Sequence, residues 1–388
     1  MKSIEIVAPT EDVGRETISR FDMQFQAAAF AALEILEGQG IDCVYCDFHD
    51  DFVVRKQEAD KTTYHFFQVK TKKKLHHQWN LAEIFAFKKR GQKAEADSLE
   101  KVRKSFAGKL LLHGIAFDDA CREVTLLSNV HFDEDVVTTV EQLRGRAPAS
   151  LSAKFLAEHF CAIFEITPAL PQSKTGELLA KLSLDAGVAY IAPNREAFAS
   201  AARSAIHKYS EIDLTYHETN ELANGLVDLV YRKSRTPLAS VSPSDITALA
   251  GVQLEDLLEV LSISRSVYNA LAAGEEPKAL RSASVLQRCL KAAGATDPMI
   301  EFAAQQKVNW DVWLRSARHI YSPFDLNLLL EFIDKLYGTW ISRGAEFSTL
   351  SGLLEEATHN LLVKKFAGAQ RDLLFGAISA VVVRRYSR

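Results

Sequence analysis

The stretch HDDFVVRKQEADKTTYHFFQVKTKKK, residues 49–74, contains two apolar runs separated by a polar turn. β-branched and aromatic residues favour strands, so the stretch predicts a hairpin or a meander. The first run opens with the acidic pair Asp50 and Asp51, and the second ends with Gln68 and Lys70 before a run of lysines. Side chains alternate across a strand, which directs Gln68 and Lys70 to one face. If the two strands are neighbours, Asp51, Gln68 and Lys70 converge on one point.

A carboxylate, an amide and an ammonium at one point suit phosphodiester hydrolysis. That reaction needs a hard divalent cation to polarise the phosphate and activate water, and a positive group near the developing negative charge. The predicted roles are an anionic metal ligand for Asp51, a neutral oxygen ligand for Gln68, and orientation of water and charge stabilisation for Lys70. Glu34, on the preceding predicted helix, could supply a second carboxylate. The predicted cofactor is Mg²⁺ or Mn²⁺.

Outward from this stretch, the pattern changes from strands to helices. Residues 1–18 are interpreted as an irregular arm, followed by a helix from the N-cap Ser19 to Gly38. Gln26 and Glu34 fall on one stripe of this helix, since residues four apart are neighbours. After two helical segments, a further strand pair is predicted, with LLLHGIAF (110–117) as its first member.

Beyond about residue 140 the spacing of apolar residues is helical. TGELLAKLSLDAG (175–187) belongs to this helical pattern, and SRTPLASVSPSD (234–245) is its clearest turn-rich break. The predicted division has three parts: a nuclease-type domain at 1–165, a helical connector at 166–240 and a helical regulatory or partner-binding domain at 241–388.

Composition describes an ordinary globular protein. The chain has 388 residues, 47% hydrophobic and 25% charged, with a net charge of -4. No apolar run approaches the ~20 residues that cross a bilayer, and the first residues lack a signal-peptide pattern, so the expectation is a cytoplasmic protein without a membrane contact. Cys43 and Cys46 have the spacing of half a zinc site, but the favoured interpretation is buried strand cysteines.

Positive charge is concentrated after the second strand. Residues 70–109 contain 12 Lys or Arg and four Asp or Glu, in a chain that is acidic overall. A basic face beside a cleavage site would bind phosphates, and Trp79 could touch DNA from the same segment. A lysine run is also typical of a solvated face. The predicted DNA-binding residues are Lys72, Lys73, Lys74, Lys88, Lys89 and Arg90.

The acid, turn and amide-x-lysine pattern resembles the PD-(D/E)xK nuclease superfamily in its QxK variant. Together with FDMQFQAAAFAALEIL and LLSNVHF, it is similar to the double-stranded DNA endonuclease domain of the Cap-four type, found in anti-phage CBASS and Lamassu systems. The resemblance covers roughly residues 15–135. It implies an α+β fold with an α/β restriction-endonuclease-like core, followed here by an all-α C-terminal region.

The resemblance also implies roles for single residues. Asp51 matches the metal-binding aspartate, with Asp50 in its place if the strand register differs by one. Gln68 and Lys70 match the QxK pair. The main-chain carbonyl of Val69 would be a further metal ligand, and Gln26 matches a supporting glutamine of the helix.

The predicted function is a metal-dependent double-stranded DNA endonuclease that is inactive until partner subunits release or oligomerise it. The helical C-terminal half makes the chain most similar to the nuclease subunit of Lamassu, which implies an SMC-type ATPase, an accessory subunit and activation as a homo-oligomer. Two alternatives stay open. One is a CBASS nuclease activated by a cyclic oligonucleotide, and the other is a catalytically silent DNA-binding scaffold.

Overall fold

The computed structural model describes residues 13–58, 61–88, 94–210, 214–238, 241–276 and 278–386, and the side chains of 209 and 210 are not among them. The chain divides into two compact units. The first is Met1–Ala205 with Thr215–Asp256, and the second is Ile206–Leu214 with Leu257–Arg388. The three-part division drawn from the sequence stays a prediction.

The first unit is built on a six-stranded mixed sheet with the order β5-β4-β3-β2-β1-β6. β1, β2 and β3 form an antiparallel meander, as the sequence predicts, while β3, β4 and β5 run parallel and β6 is antiparallel to β1. The predicted α+β class is confirmed. The strands are β1 (Ile41–Phe48), β2 (Asp50–Glu58), β3 (Lys61–Lys70), β4 (Cys121–Ser128), β5 (Leu182–Asp185) and β6 (Gly251–Val252).

Helices form most of the remaining described residues. A 3₁₀ helix, Leu33–Glu37, follows the first α-helix, and another, Asp118–Ala120, precedes β4. The α-helices are α1 (Val13–Ala32), α2 (Leu81–Phe85), α3 (Ala96–Lys104), α4 (Phe106–Phe117), α5 (Glu134–Arg144), α6 (Leu151–Ile163), α7 (Gln172–Leu179), α8 (Glu196–Ser210), α9 (Tyr216–Ser234), α10 (Pro243–Ala250), α11 (Leu254–Val260), α12 (Arg265–Ala273), α13 (Ala279–Ala292), α14 (Asp297–Ile320), α15 (Pro323–Ser342), α16 (Phe347–Thr358), α17 (Leu361–Lys364) and α18 (Arg371–Tyr386).

The largest described apolar cluster of the first unit lies against one face of the sheet. Val53, Phe66 and Leu126 project from three adjacent strands into a buried apolar cluster, where they meet residues of α4 such as Leu110 and Leu111. Such a layer of helices on a sheet buries the apolar face of each. Cys43 and Cys46 are buried on β1, in agreement with their interpretation as buried strand cysteines.

The segment LLLHGIAF (110–117) was predicted as a strand, and this prediction is wrong because it forms the second half of α4. A short apolar run does not distinguish a buried strand from a buried helix. The deciding local signal is Ser105, whose side chain accepts a hydrogen bond from the Gly108 amide and so caps the helix. This change of element matters because it moves His113 onto a helix.

Two further predictions are corrected at the edges of the sheet. The helical pattern over 175–187 is interrupted by β5, which pairs in parallel with β4, and the two residues of β6 lie within a region predicted to be helical. The predicted irregular arm is also shorter, because α1 begins at Val13. Residues 1–12 lie outside the described part of the chain.

The second unit is all-α in its described residues after 257, as the sequence predicts. Its helices α14 and α18 pack along each other closely, and a Cβ at Gly376 would lie only 2.0 Å from the carbonyl oxygen of Gln306. Lys307 on α14 is buried and pairs with Asp311 at 2.9 Å and with Glu276. No helix in the described ranges is both long and apolar enough to span a bilayer.

Candidate active site

The antiparallel pairing of β2 and β3 puts the start of one strand beside the end of the other. Asp50 and Asp51 open β2, and Gln68, Val69 and Lys70 end β3. The Val69 amide donates a hydrogen bond to Asp51 Oδ2 at 2.7 Å, and Gln68 Nε2 lies 3.4 Å from Asp50 Oδ1. The structure therefore brings these predicted site residues together.

Asp51 is partly buried, and the loss of contact with water raises the pKa of its carboxyl to about 6. The positive charge of Lys70 opposes this shift, as do hydrogen bonds from the Val69 amide and the Gln24 side chain. The neighbouring charge of Asp50 adds to the increase in pKa. A carboxylate in this environment gains stability from any cation placed beside it.

Gln68, like Gln26, keeps a buried side-chain oxygen without a hydrogen-bond partner in the described residues. Gln68 is 8% exposed, and the oxygen in question is its Oε1 atom. A buried acceptor without a partner costs free energy, so a native structure that keeps one calls for an explanation. An oxygen of this type is a ligand that Mg²⁺ and Ca²⁺ prefer, and the donor set here fits a hard divalent cation.

Asp50 makes the most contacts of the group. Its Oδ1 atom accepts the Asp51 amide at 3.0 Å, and its Oδ2 atom lies 3.1 Å from Nε2 of His113 on α4. The His113 ring stacks on Phe66 of β3, with centroids 4.6 Å apart and planes within 7°. Only 6% of the Asp50 side chain is exposed.

Lys70 lies at the end of β3, paired in register with Ser128 of β4. Its ammonium group is 4.9 Å from the centre of the Phe106 ring, at the start of α4. Just beyond it, the Asn129 side chain binds both the amide and the carbonyl of Lys72 at 3.0 Å. These two bonds tie the ends of β3 and β4 together and hold Lys70 at the rim of the group.

Glu34 lies elsewhere. The α-helix ends at Ala32, and Glu34 belongs to the 3₁₀ helix that follows, so the four-residue stripe from Gln26 does not continue to it. Glu34 lines a cavity of about 670 Å³ that also includes His65 and Tyr190. Its contribution as a second carboxylate stays a prediction.

Gln26 is fully buried in a separate network. Its Nε2 atom donates to Asp22 Oδ2 at 2.8 Å and to the Ala192 carbonyl at 3.1 Å, and Arg195 also binds Asp22. Gln24, two positions earlier on α1, is the glutamine that contacts Asp51. The sequence offers no signal to choose between the two glutamines, because the choice depends on how α1 is rotated against the sheet.

The predicted DNA-binding residues have different environments. Lys72 is 16% exposed, with its ammonium 2.7 Å from Glu83 and 4.2 Å from the centre of the Trp79 ring, which favours a structural role. Lys73 is 2.7 Å from Glu16 and 80% exposed, and Lys74 and Lys88 are also exposed. Lys89 and Arg90 lie outside the described residues.

Trp79 does not lie on the surface. It is buried, and its indole N–H donates to Ser128 Oγ at 2.8 Å, so the prediction that it touches DNA is wrong. Its amide also binds the His131 carbonyl at 3.0 Å, beside the bridge it forms with Phe132. Trp79 thus anchors the basic segment to the end of β4.

Comparison with known proteins identifies a family for this chain. The family described as "Cap4, dsDNA endonuclease domain" matches residues 12–234, more than half of the chain. No curated protein matches the chain. Among solved structures, it is similar to the Acinetobacter baumannii Cap4 SAVED/CARF-domain containing receptor, with 11% identity, a TM-score of 0.37, and coverage of 68% of this chain and 48% of the receptor. The Moraxella osloensis Cap4 SAVED/CARF-domain containing receptor is 10% identical, with a TM-score of 0.35 and coverage of 66% of this chain and 48% of the receptor.

The chain thus spans about half the length of these solved structures. The family match includes the start of β2, the end of β3 and the whole of α4, which together carry the group around Gln68. The chain belongs to the family of Cap4 double-stranded DNA endonuclease domains.

Proposed function

We propose that the chain is a divalent-metal-dependent endonuclease that cleaves double-stranded DNA in anti-phage defence. The observation that carries this proposal is the buried, unpartnered Oε1 atom of Gln68. The next residue on β3, Val69, binds Asp51, whose pKa is raised by burial to about 6. A bound cation would satisfy the amide oxygen and offset the burial of the carboxylate at the same time.

Mg²⁺ or Mn²⁺ would be held by the Asp51 carboxylate, Gln68 Oε1 and the main-chain carbonyl of Val69. When bound, the cation withdraws electron density from the scissile phosphate. Among the described residues, no group of three or more His, Cys, Asp or Glu could hold a metal ion. The proposed site therefore depends on the DNA phosphate as a further ligand, which is common for Mg²⁺.

The remaining chemistry belongs to Lys70 and the basic segment. Lys70 orients the attacking water and stabilises negative charge on the phosphate in the transition state. Lys73, Lys74 and Lys88 contribute positive charge along the path of the DNA backbone, together with Lys89 and Arg90. Cleavage is then tolerant of sequence, because phosphate contacts carry no base information.

The second unit is the proposed site of control. Its all-α architecture supports regulation by protein partners, and we propose an SMC-type ATPase with an accessory subunit, as in Lamassu. Cutting both strands requires two active sites, so the active form would be a homo-oligomer that assembles when those partners release it. The proposed setting is the cytoplasm, where invading DNA is met.

The test is cleavage of linear and supercoiled plasmid by the full chain and by its Lys70→Ala variant, each with Mg²⁺ or EDTA at low salt. Cleavage that requires both Mg²⁺ and Lys70 is the expected result. The matched control is Lys154→Ala, which removes an exposed lysine of α6 outside the basic segment and is expected to leave cleavage intact.

If neither protein cuts, the assay is repeated with the products of the neighbouring genes and with labelled cyclic oligonucleotides. Activity restored by proteins supports the proposed control, and activity restored by a cyclic oligonucleotide supports the CBASS-type alternative instead. Inactivity under every condition, with DNA binding retained, identifies the scaffold.

A further inference from the structure

We propose that Asp50 and His113 are positioning residues that fix which way the Gln68 side-chain amide faces, so that its oxygen is presented to the cation. This inference rests on the proposed metal-dependent function. A glutamate offers two equivalent oxygens to a metal, but a glutamine offers one oxygen and one NH₂ group. If the amide rotated by half a turn, the site would present a donor to the cation.

Asp50 is the group that distinguishes the two orientations of the amide. A carboxylate only accepts hydrogen bonds, and Gln68 Nε2 lies 3.4 Å from Asp50 Oδ1. The reversed amide would bring its oxygen against a carboxylate oxygen. Because the Asp50 side chain is only 6% exposed, water does little to screen that repulsion.

His113 holds Asp50 in the position that this requires. Its Nε2 atom lies 3.1 Å from Asp50 Oδ2, while Oδ1 accepts the Asp51 amide at 3.0 Å and faces Gln68. Both carboxylate oxygens are therefore engaged by groups of the protein. The His113 ring is itself fixed by stacking on Phe66, two residues before Gln68 on β3.

The two adjacent aspartates therefore have different roles. Asp51 faces the proposed cation, whereas Asp50 is a partner of the amide that binds it. Since Oε1 of Gln68 is buried and has no partner in the described part of the chain, the orientation seen here is the one that a cation requires.

The decisive experiment exchanges the two groups in the full-length protein. Mn²⁺ affinity is measured by the electron paramagnetic resonance signal of free Mn²⁺, beside plasmid cleavage, for Asp50→Asn, for Gln68→Glu and for the double variant. In the Asp50→Asn variant the new amide can donate or accept a hydrogen bond, so it no longer selects one orientation of the Gln68 amide. Mn²⁺ affinity should therefore fall about 10-fold, which corresponds to the loss of one charge-assisted hydrogen bond.

The double variant restores a donor facing an acceptor and keeps the total charge. Because a glutamate offers two equivalent oxygens, Asp50→Asn should lower Mn²⁺ affinity by less than about 3-fold in the Gln68→Glu background, whereas a merely structural role of Asp50 would cost the same in both backgrounds. Gln68→Glu alone adds a charged oxygen ligand and should bind Mn²⁺ more tightly than the original protein, so the double variant is compared with it.

Substitutions of His113 test the same role without changing Asp50 or Gln68. His113→Gln keeps a donor for Asp50 and should retain Mn²⁺ affinity, while His113→Phe keeps the stacking on Phe66 and should lose about as much affinity as Asp50→Asn. Circular dichroism confirms that each variant is folded.

Three outcomes are distinguished. If the original protein neither binds Mn²⁺ nor cuts DNA with its partners, the proposed function fails and this inference with it. If it does both, but Asp50→Asn and His113→Phe bind Mn²⁺ unchanged, the positioning role is wrong. If Asp50→Asn lowers Mn²⁺ affinity equally with and without Gln68→Glu, Asp50 acts as a ligand or through its charge, and the inference is overturned.

Discussion

Asp51 shows how a proposed metal ligand can reduce stability. Its carboxylate is partly buried beside Asp50, and its pKa of about 6 lies above that of an aspartate in an unfolded chain, roughly 3.9. The folded state therefore binds a proton more tightly than the unfolded state. It follows that Asp51 lowers the free energy of unfolding at pH above about 6, and that this penalty disappears below about pH 4.

Asp51→Asn should accordingly stabilise the metal-free protein. We expect a gain of about 3 kcal/mol in the free energy of unfolding at neutral pH, and none near pH 4, because each unit of pKa shift corresponds to about 1.4 kcal/mol. Urea denaturation in EDTA at both pH values measures the gain. The control is Asp228→Asn, an exposed aspartate on α9, and an equal gain at both pH values would contradict the argument.

Single residues also show what the sequence could reveal. The proximity of Asp51, Gln68 and Lys70 was predictable from the sequence. In two neighbouring antiparallel strands, the start of one strand lies beside the end of the other, whatever the rest of the fold. His113 and Gln24 were not predictable, because a helix presents its residues according to its rotation and position, which packing decides. His113 was also hidden by the wrong assignment of its segment to a strand.

At the level of elements, the loop after β3 serves two purposes. Lys72 is bonded to Glu83 at 2.7 Å and to the Gln78 carbonyl at 2.9 Å, and it lies over Trp79. Lys74, two residues on, is exposed. Neighbouring lysines of one run thus differ: the first fixes the loop to α2, and the second is available to phosphate.

Lys72→Ala and Lys74→Ala should therefore have opposite signatures. Lys74→Ala should weaken DNA binding and reduce the slope of log affinity against log salt by about 0.9, the value for one lost phosphate contact. Lys72→Ala should lower the free energy of unfolding by about 1 kcal/mol and leave the slope unchanged. Fluorescence anisotropy over a salt series, beside thermal denaturation, measures both. Equal salt slopes for the two variants would show that Lys72 also contacts DNA.

At the scale of the whole molecule, the sheet of the first unit includes a strand from far along the chain. β6 pairs with β1 through Val44 and Val252, and Gly251 fits there because a Cβ would lie 2.5 Å from Cys43 Sγ. Thr247 adds a hydrogen bond to Tyr45 at 2.9 Å. The sequence did not reveal this strand, since two residues carry no periodicity.

The position of β6 predicts where the chain can be shortened. A protein that ends after Asp256 keeps β6 and the ion pair of Lys233 with Asp256 at 3.1 Å, whereas one that ends at residue 240 exposes the edge of β1. We expect the longer form to be soluble and the shorter one to aggregate, because an uncovered edge strand pairs with other chains. Size-exclusion chromatography of both forms measures this, and identical monomeric profiles would contradict it.

The position of β6 in the sequence delays completion of the sheet during protein synthesis. A ribosome that adds about 5–20 residues per second needs on the order of 10–40 s to travel from Val44 to Val252. During that interval β2 and β3 have already been synthesised, while the sheet still lacks its last strand. The sheet of the first unit is therefore completed only after Val252 has been added to the chain.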